Sequence, residues 1–252
     1  MRRLRVIGIG PGGRDQLTVE AVEALNDVDV FLLPDKGIPD LVALREEILV
    51  RHVRGSYRLE TVPDPPRDRS PTGLTGYGTA VSDWHEARTV LLERVIAQLP
   101  EEVGGILVWG DPSLYDSTLR IVDGILARGN VSFDHDVVPG VSSVCLLAAR
   151  HRIVLHRVGE PVTVTTGRRL LDTVAPASVD NVVVMLDGDL TCASLDTAGW
   201  DIWWGANLGT ADEALVAGRL SDVLPDIRAA RSSSRQARGW VMDTYLLRRR
   251  SR

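Results

Sequence analysis

From residue 4 to about residue 150, short apolar runs alternate with segments of helical periodicity, and this alternation constrains the chain more than any other feature. Residues 4–9, 28–33, 57–62, 105–109 and 133–138 read as strands, while 18–25, 40–50, 80–99, 117–128 and 142–150 read as helices. Strand-helix alternation of this kind means a parallel sheet, because parallel neighbours need long crossovers that helices supply. Thr18 is placed to cap the first helix, with Val19, Val22 and Leu25 near one face; Leu41, Leu44, Ile48 and Leu49 pattern the second. Ser117 and Ser142 open two later helices. After residue 150 the pattern changes: 161–165, 181–186, 200–204 and 240–247 look like strands with fewer and shorter helices between them. The last of these reads as an edge or antiparallel strand. The chain is therefore read as a two-domain α/β protein, with a mostly parallel sheet domain over 1–145 and a mixed-sheet domain over 146–252. No internal repeat and no low-complexity tract appears beyond Ser232-Ser233-Ser234.

Residues 63–79 break the alternation. Pro63, Pro65, Pro66 and Pro71 are followed by Gly73, Gly76 and Gly78, so the stretch is expected to be one long loop, of the kind that serves as a lid or binding loop. Composition removes several function classes. A net charge of −5 argues against binding nucleic acid through bulk positive charge. No apolar run approaches the roughly 20 residues of a membrane span, and the apolar stretch at 6–10 is too short for a secretory signal, so a cytoplasmic protein is expected. Cys145 and Cys192 make no disulfide framework, and no Cys or His pair has metal-ligand spacing, so no metal is expected. Cys145, flanked by Val144 and Leu146, reads as an inert buried thiol, and the arginines of 248–252 as a solvated tail.

Gly8-Ile9-Gly10-Pro11-Gly12-Gly13 satisfies G-x-G-x-x-G after a strand, and Asp35 stands at the end of the second strand like a ribose-binding acid. A dinucleotide reading has a mechanical problem. The helix is expected to start only at Thr18, which moves its N–H groups away from the glycines, and Pro11 removes one donor. Two more turns fall at strand ends, where open α/β sheets bind ligands: Gly110-Asp111-Pro112 and Pro139-Gly140-Val141-Ser142-Ser143. Each alone is ordinary turn chemistry; their occurrence in this order is the specific signal.

With these three motifs the chain resembles the tetrapyrrole methylases, the S-adenosylmethionine-dependent enzymes of cobalamin and siroheme synthesis. Val183-Val184-Met185-Leu186 and Gly205-Ala206-Asn207-Leu208-Gly209-Thr210 extend the resemblance over nearly the whole chain. Within the family, Leu33-Pro34-Asp35-Lys36-Gly37, Trp84-His85-Glu86-Ala87-Arg88, Asp111–Thr118 and Met185-Leu186-Asp187-Gly188-Asp189 point to a member acting on precorrin-5. That member methylates ring carbon C-1 and releases the acetyl group as acetate, giving precorrin-6A and S-adenosylhomocysteine. The resemblance implies a homodimer of two-domain subunits with both ligands in the interdomain cleft.

The resemblance also implies roles. Gly110, Asp111, Leu114, Ser142, Ser143, Met185, Leu186, Leu208 and Gly209 would hold the donor. Gly10, Pro11, Gly12, Tyr77, Arg88 and Tyr115 would face the tetrapyrrole, with Arg67 and Arg69 in the loop over it. Methyl transfer from a sulfonium is an in-line displacement that mainly requires alignment, so turn backbones and small side chains suffice. Loss of acetate requires water to add to a carbonyl, and Asp35 is the first candidate for its general base. Asp35 has a competing local role through Lys36, His85 reads as structural, and Arg88 fits a substrate carboxylate or solvent equally. Asp116, Asp187 and Asp189 each suit a ligand or a cap or turn. Three readings stand: a precorrin C-methyltransferase, this one or another of the family; a nicotinamide oxidoreductase using the glycine fingerprint; and a ligand-binding protein without turnover.

Overall fold

The computed structural model describes residues 2–35, 39–66, 73–100, 102–176 and 178–250. The chain separates into two units: residues 1–10 with 14–141, and residues 11–13 with 142–252.

In the first unit five strands, β1 (Arg3–Gly8), β2 (Val30–Asp35), β3 (Arg58–Pro63), β4 (Val103–Val108) and β5 (Asp134–Val138), form a sheet of order β3-β2-β4-β1-β5. Every pairing is parallel. Alternation along each strand feeds two cores. Leu4, Val6, Val30, Leu32, Ile106 and Val108 pack with Ile121, Val122 and Ile125 of α4 (Thr118–Arg128) and with Leu92 and Ile96 of α3 (Gly73–Gln98). Ile7, Phe31, Leu33 and Leu107 face the other way, onto α1 (Val19–Leu25) and α2 (Pro39–His52). The chain leaves β1 towards β2 on one side, and leaves β4 towards β5 on the other. The carboxyl ends of β1 and β4 therefore mark the point where the topology reverses, the usual place for a ligand in an open α/β sheet.

Local chemistry explains several boundaries. The Thr18 hydroxyl accepts from Ala21 N at 3.0 Å, and α1 starts at the next residue. Its buried face is Ala21, Ala24 and Leu25 rather than Val19, which is 76% exposed, because two alanines let the helix lie close to the sheet. The long loop expected over 63–79 is shorter: β3 runs to Pro63, α3 begins at Gly73, and 67–72 lie outside the described residues. Each helical glycine costs about 1 kcal/mol against alanine. The twenty residues that follow, with Leu92 and Ile96 in the core, carry the helix through that penalty.

In the second unit β6 (Thr163–Thr166), β7 (Asn181–Met185), β8 (Trp200–Ala206), β9 (Ala214–Arg219) and β10 (Asp243–Arg249) form a mixed sheet of order β6-β7-β10-β8-β9. β6 runs parallel to β7, while β10 lies in the centre, antiparallel to β7 and β8. β10 is thus antiparallel as expected but not an edge. Its residues explain why 248–250 are no solvated tail: Arg248 lies 4.9 Å over Trp203, Arg249 lies 4.3 Å over Trp200, and Arg250 pairs with Asp201. Helices α5 (Ser143–His151), α6 (Leu170–Val174) and α7 (Leu220–Arg238) complete the unit. The nineteen residues of α7 run against the expectation of shorter helices here. Pro225 and three serines disguise it, and Leu220, Ile227 and Arg231 bury its inner face. Ser142 caps α5, accepting from Cys145 N at 3.2 Å. Cys145 itself is exposed, because Val144, Leu146 and Leu147 take the inward positions. Among the described residues no helix is long and apolar enough to cross a membrane.

Candidate functional site

Three glycines meet at the carboxyl edge of the parallel sheet. A Cβ on Gly140 would lie 2.1 Å from the Gly110 carbonyl oxygen and 2.8 Å from Gly8 C; one on Gly8 would lie 2.5 Å from Gly140 N. The turns after β1, β4 and β5 therefore touch backbone to backbone, closer than any side chain permits. Gly10 and Gly110 exchange hydrogen bonds of 3.3 and 2.8 Å, which ties the turns after β1 and β4 together. Gly10 itself sits at φ 78°, where a Cβ would strike Gln16 O. Gly8, Gly10 and Gly140 are thus accounted for by packing, and Gly110 by its φ of 65°. The dinucleotide reading fails on this geometry: the Gly10 N–H is committed to Gly110, and α1 starts nine residues further on.

Asp111 binds these turns with its carboxylate. Oδ1 accepts from Ser113 N at 2.9 Å and from the Ser113 hydroxyl, and Oδ2 accepts from Gly140 N at 3.0 Å. Burial acts to raise its pKa, but these hydrogen bonds prevail and hold the carboxyl below the ordinary aspartate value of 3.8. A depressed carboxylate stabilises the fold above that value and loses its contribution as pH falls below it. Leu114 N bonds back to Asp111 O at 3.2 Å, and Tyr115 follows at φ 52° with 44% of its surface exposed. Asp116 accepts from Thr118 N at 2.6 Å and so caps α4, a role the Ser117 side chain does not take.

Behind this edge, still in the first unit, lies a cavity of about 60 Å³. Leu32, Val62, Val108 and Ile121 supply its apolar wall. Arg45, Arg88, Asp64, Asp116 and Trp109 supply its polar lining. Arg88 is no solvated arginine: its Nε is 3.0 Å from Asp64, it donates to Ser117 Oγ at 3.2 Å, and it stacks 4.7 Å over Trp84. His85 packs its ring 5.3 Å from that of Trp84. Arg45 is 5% exposed and lies 5.5 Å over Trp109. Burial lowers Arg45 to about 10 against the attraction of Asp116, with Arg88 adding a like charge. Arg88 is lowered in the same way, by burial against Asp64 and Asp116. The indole Nε1 of Trp109 is buried with no hydrogen-bond acceptor among the described residues.

Arg45, Asp64 and Trp109 escaped the sequence reading. The one available signal was Arg45 sharing a helix face with Ile48 and Leu49, an arginine where the period calls for an apolar residue. Asp35 ends β2, so its backbone stands at the same carboxyl edge. Its side chain, that of Tyr77, and all of Lys36, Arg67 and Arg69 lie outside the described residues.

The second unit holds the other residues that the resemblance assigns to the donor. Met185 ends β7, and Leu186 follows at φ 54° with 64% of its surface exposed. An exposed leucine held in the left-handed region stores about 1–3 kcal/mol of strain, a common mark of ligand-contacting turns. Asp187 points inward and is 4% exposed. It accepts from Tyr245 OH at 2.5 Å, Thr191 N at 2.7 Å and Thr191 Oγ1 at 2.8 Å. It is a brace for the Leu186 turn rather than a ligand group. Burial, with the charge and hydrogen bond of Asp187 beside it, pushes the Tyr245 hydroxyl far up, and burial pushes the Cys192 thiol up to about 12. Leu208 is buried against Gly205, and Gly209, at φ 83°, donates to Glu213 at 2.7 Å. Ser143 Oγ accepts from Thr244 at 3.1 Å. Pro11 and Gly12 are buried, and a Cβ on Gly12 would meet Thr210 at 2.8 Å and Leu208 O at 2.9 Å.

A five-stranded parallel sheet with tightly tied glycine turns is joined in one chain to a five-stranded mixed sheet, a two-domain α/β protein with its turns gathered at strand ends. Residues 3–224 match the model of the Tetrapyrrole (Corrin/Porphyrin) Methylases, and the chain belongs to that family. It is 42% identical over 99% of its length to a Sinorhizobium protein named precorrin-6A synthase [deacetylating], of which it covers 96%. A crystal structure of a cobalamin synthesis related protein (CobF) from Corynebacterium diphtheriae is 36% identical, with a TM-score of 0.84 and 98% of each chain covered. Uroporphyrin-III C-methyl transferase from Thermus thermophilus, solved with S-adenosyl homocysteine, shares the fold at 20% identity and a TM-score of 0.58, over 97% of this chain and 96% of that one.

Proposed function

We propose that this chain is a deacetylating precorrin C-methyltransferase of cobalamin biosynthesis, taking S-adenosylmethionine and precorrin-5 to S-adenosylhomocysteine, precorrin-6A and acetate. The end-to-end likeness to the Sinorhizobium precorrin-6A synthase carries this reading. Atoms balance with one water. Its oxygen bonds to the acetyl carbon, and the bond from that carbon to C-1 breaks with its electron pair left on the macrocycle. C-1 bonds to the methyl carbon as the carbon–sulfur bond breaks, its pair staying on sulfur; two protons leave with acetate.

In the first unit Gly110, Asp111 and Leu114 are the donor residues; in the second they are Ser142, Ser143, Met185, Leu186, Leu208 and Gly209. The sulfonium brings its own leaving group, so their task is to orient it. Backbone turns held by Asp111, and in the second unit by the inward Asp187, suit that task because they reorganise little. Gly10, Pro11, Gly12, Tyr77, Arg88 and Tyr115 are assigned to the tetrapyrrole, and Asp35 to the water as general base. The protein is proposed to act as a cytoplasmic homodimer, which sedimentation of the purified chain checks.

Incubation with precorrin-5 and methyl-labelled donor is expected to yield labelled pigment and free acetate in equal amounts, and Asp35→Asn to lose acetate release while still binding S-adenosylhomocysteine. Methylation of wild-type product without acetate would move the chain to a different reaction of the family. Asp111→Ala removes three acceptor contacts, one of them to the neighbouring turn. Calorimetry should show S-adenosylhomocysteine affinity reduced about tenfold, the equivalent of one charge-assisted hydrogen bond. Unchanged affinity would remove the Asp111 turn from the donor site.

A further inference from the structure

The cavity beneath the carboxyl edge is unexplained by methyl transfer alone. We infer that it receives the acetyl group of the tetrapyrrole, and then the acetate which that group becomes; this rests on the deacetylating reading above. A water needs roughly 10–15 Å³ measured this way, so about 60 Å³ gives room for four to six water-sized groups. An acetyl group has three heavy atoms and acetate four, whereas a macrocycle is far too large.

The lining matches the two ends of such a group. Leu32, Val62, Val108 and Ile121 make an apolar wall for a methyl. Arg45 and Arg88 bring guanidinium donors, and Trp109 brings a buried indole N–H without an acceptor among the described residues. Two carboxylates, Asp64 and Asp116, balance the two arginines. A charge-balanced lining suits a neutral carbonyl oxygen better than a permanent anion, and it holds the anionic product weakly enough to let it go. Pro34, near the carboxyl end of β2, lines the cavity as well.

Saturation-transfer NMR on the full chain, with acetate as the probe and trimethylacetate as an oversized control, tests the inference. Wild type is expected to bind acetate saturably and trimethylacetate not at all. Arg45→Met, which removes the donors, and Val62→Phe, which fills the space, should each weaken acetate binding at least about tenfold. Both should keep S-adenosylhomocysteine affinity within about twofold, as expected when the folded donor residues are intact. If Arg45→Met does not fold, Arg45→Lys takes its place, since a lysine cannot reproduce the planar fork. Acetate binding equal in wild type and both variants, no saturable binding in wild type, or equal binding of trimethylacetate overturns the inference. Turnover of precorrin-5 separates the levels. Acetate release by wild type alongside indifferent variants sinks the cavity alone, while no acetate release sinks the deacetylating reading and the cavity with it.

Discussion

Gly140→Ala is expected to disrupt the carboxyl edge of the parallel sheet and to lower the melting temperature sharply. The new methyl carbon would sit 2.1 Å from the Gly110 carbonyl oxygen and 2.8 Å from Gly8 C. Both are backbone, so no rotamer change relieves the contact. Moving Gly110 strains its paired hydrogen bonds with Gly10, and moving Gly140 breaks the 3.0 Å bond from its N–H to Asp111. Overpacking typically costs 1–3 kcal/mol, and a clash confined to backbone belongs at about 3 kcal/mol. For a chain of this size that is a fall of roughly 6–12 °C, readable by calorimetry. Gly55→Ala is the control, since a Cβ there meets nothing within 4 Å. Equal melting of the two variants would show that the three turns are not in the close contact described.

Arg231→Met should be comparably damaging, with a signature in pH. Arg231 and Asp243 side chains are 6% and 3% exposed and meet at 2.6 Å. The same guanidinium donates to Asp187 O at 3.0 Å and Gly188 O at 2.8 Å, holding the turn that displays Leu186. Removing one member of a buried pair leaves an uncompensated charge, at a cost of about 3–5 kcal/mol. Burial raises Asp243 to about 6, with Arg231 and the Trp204 N–H opposing the rise. A raised carboxyl favours the fold below the unfolded value of 3.8 and loses that contribution as pH climbs through the folded value. Without Arg231 the opposition weakens and the folded value moves higher. Acidification from about pH 8 to pH 5 is therefore expected to restore part of the stability lost in the variant, by letting Asp243 become neutral. A stability gap independent of pH would mean that Asp243 is not the group left exposed to the cost. Adding Asp243→Asn to Arg231→Met should recover stability through the same neutralisation.

Much of the fold was legible because it is written in short-range terms. The parallel sheet followed from alternation of strand and helix periods, and the caps at Thr18 and Ser142 were read as such because an N-cap is a contact three residues long. Segments under competing local and tertiary preferences were misread. Glycines at 73, 76 and 78 predict a loop, yet the helix continues because its later turns are buried. Pro225 and the serines at 232–234 hid α7, whose stability lies in Leu220, Ile227 and Arg231 facing the sheet. Arg249 and Arg250 looked like a tail, because the tryptophan and aspartate that hold them, Trp200 and Asp201, come from a strand some fifty residues earlier.

Sequence by itself determined the order of strands and helices in the first unit, the family, and the three turn motifs at strand ends, since each depends on neighbours along the chain. Tertiary structure alone decided what those residues are for. It showed that Gly8 and Gly140 are glycines because backbones from neighbouring strand ends meet there, and that Gly110 takes a positive φ. It turned Asp187 inward as a brace, and it brought Arg45 and Arg88, from two different helices, to one small cavity. Hydrophobic periodicity reports which face of an element is buried, but not which other element it meets, and charge, strain and close approach are all properties of that meeting.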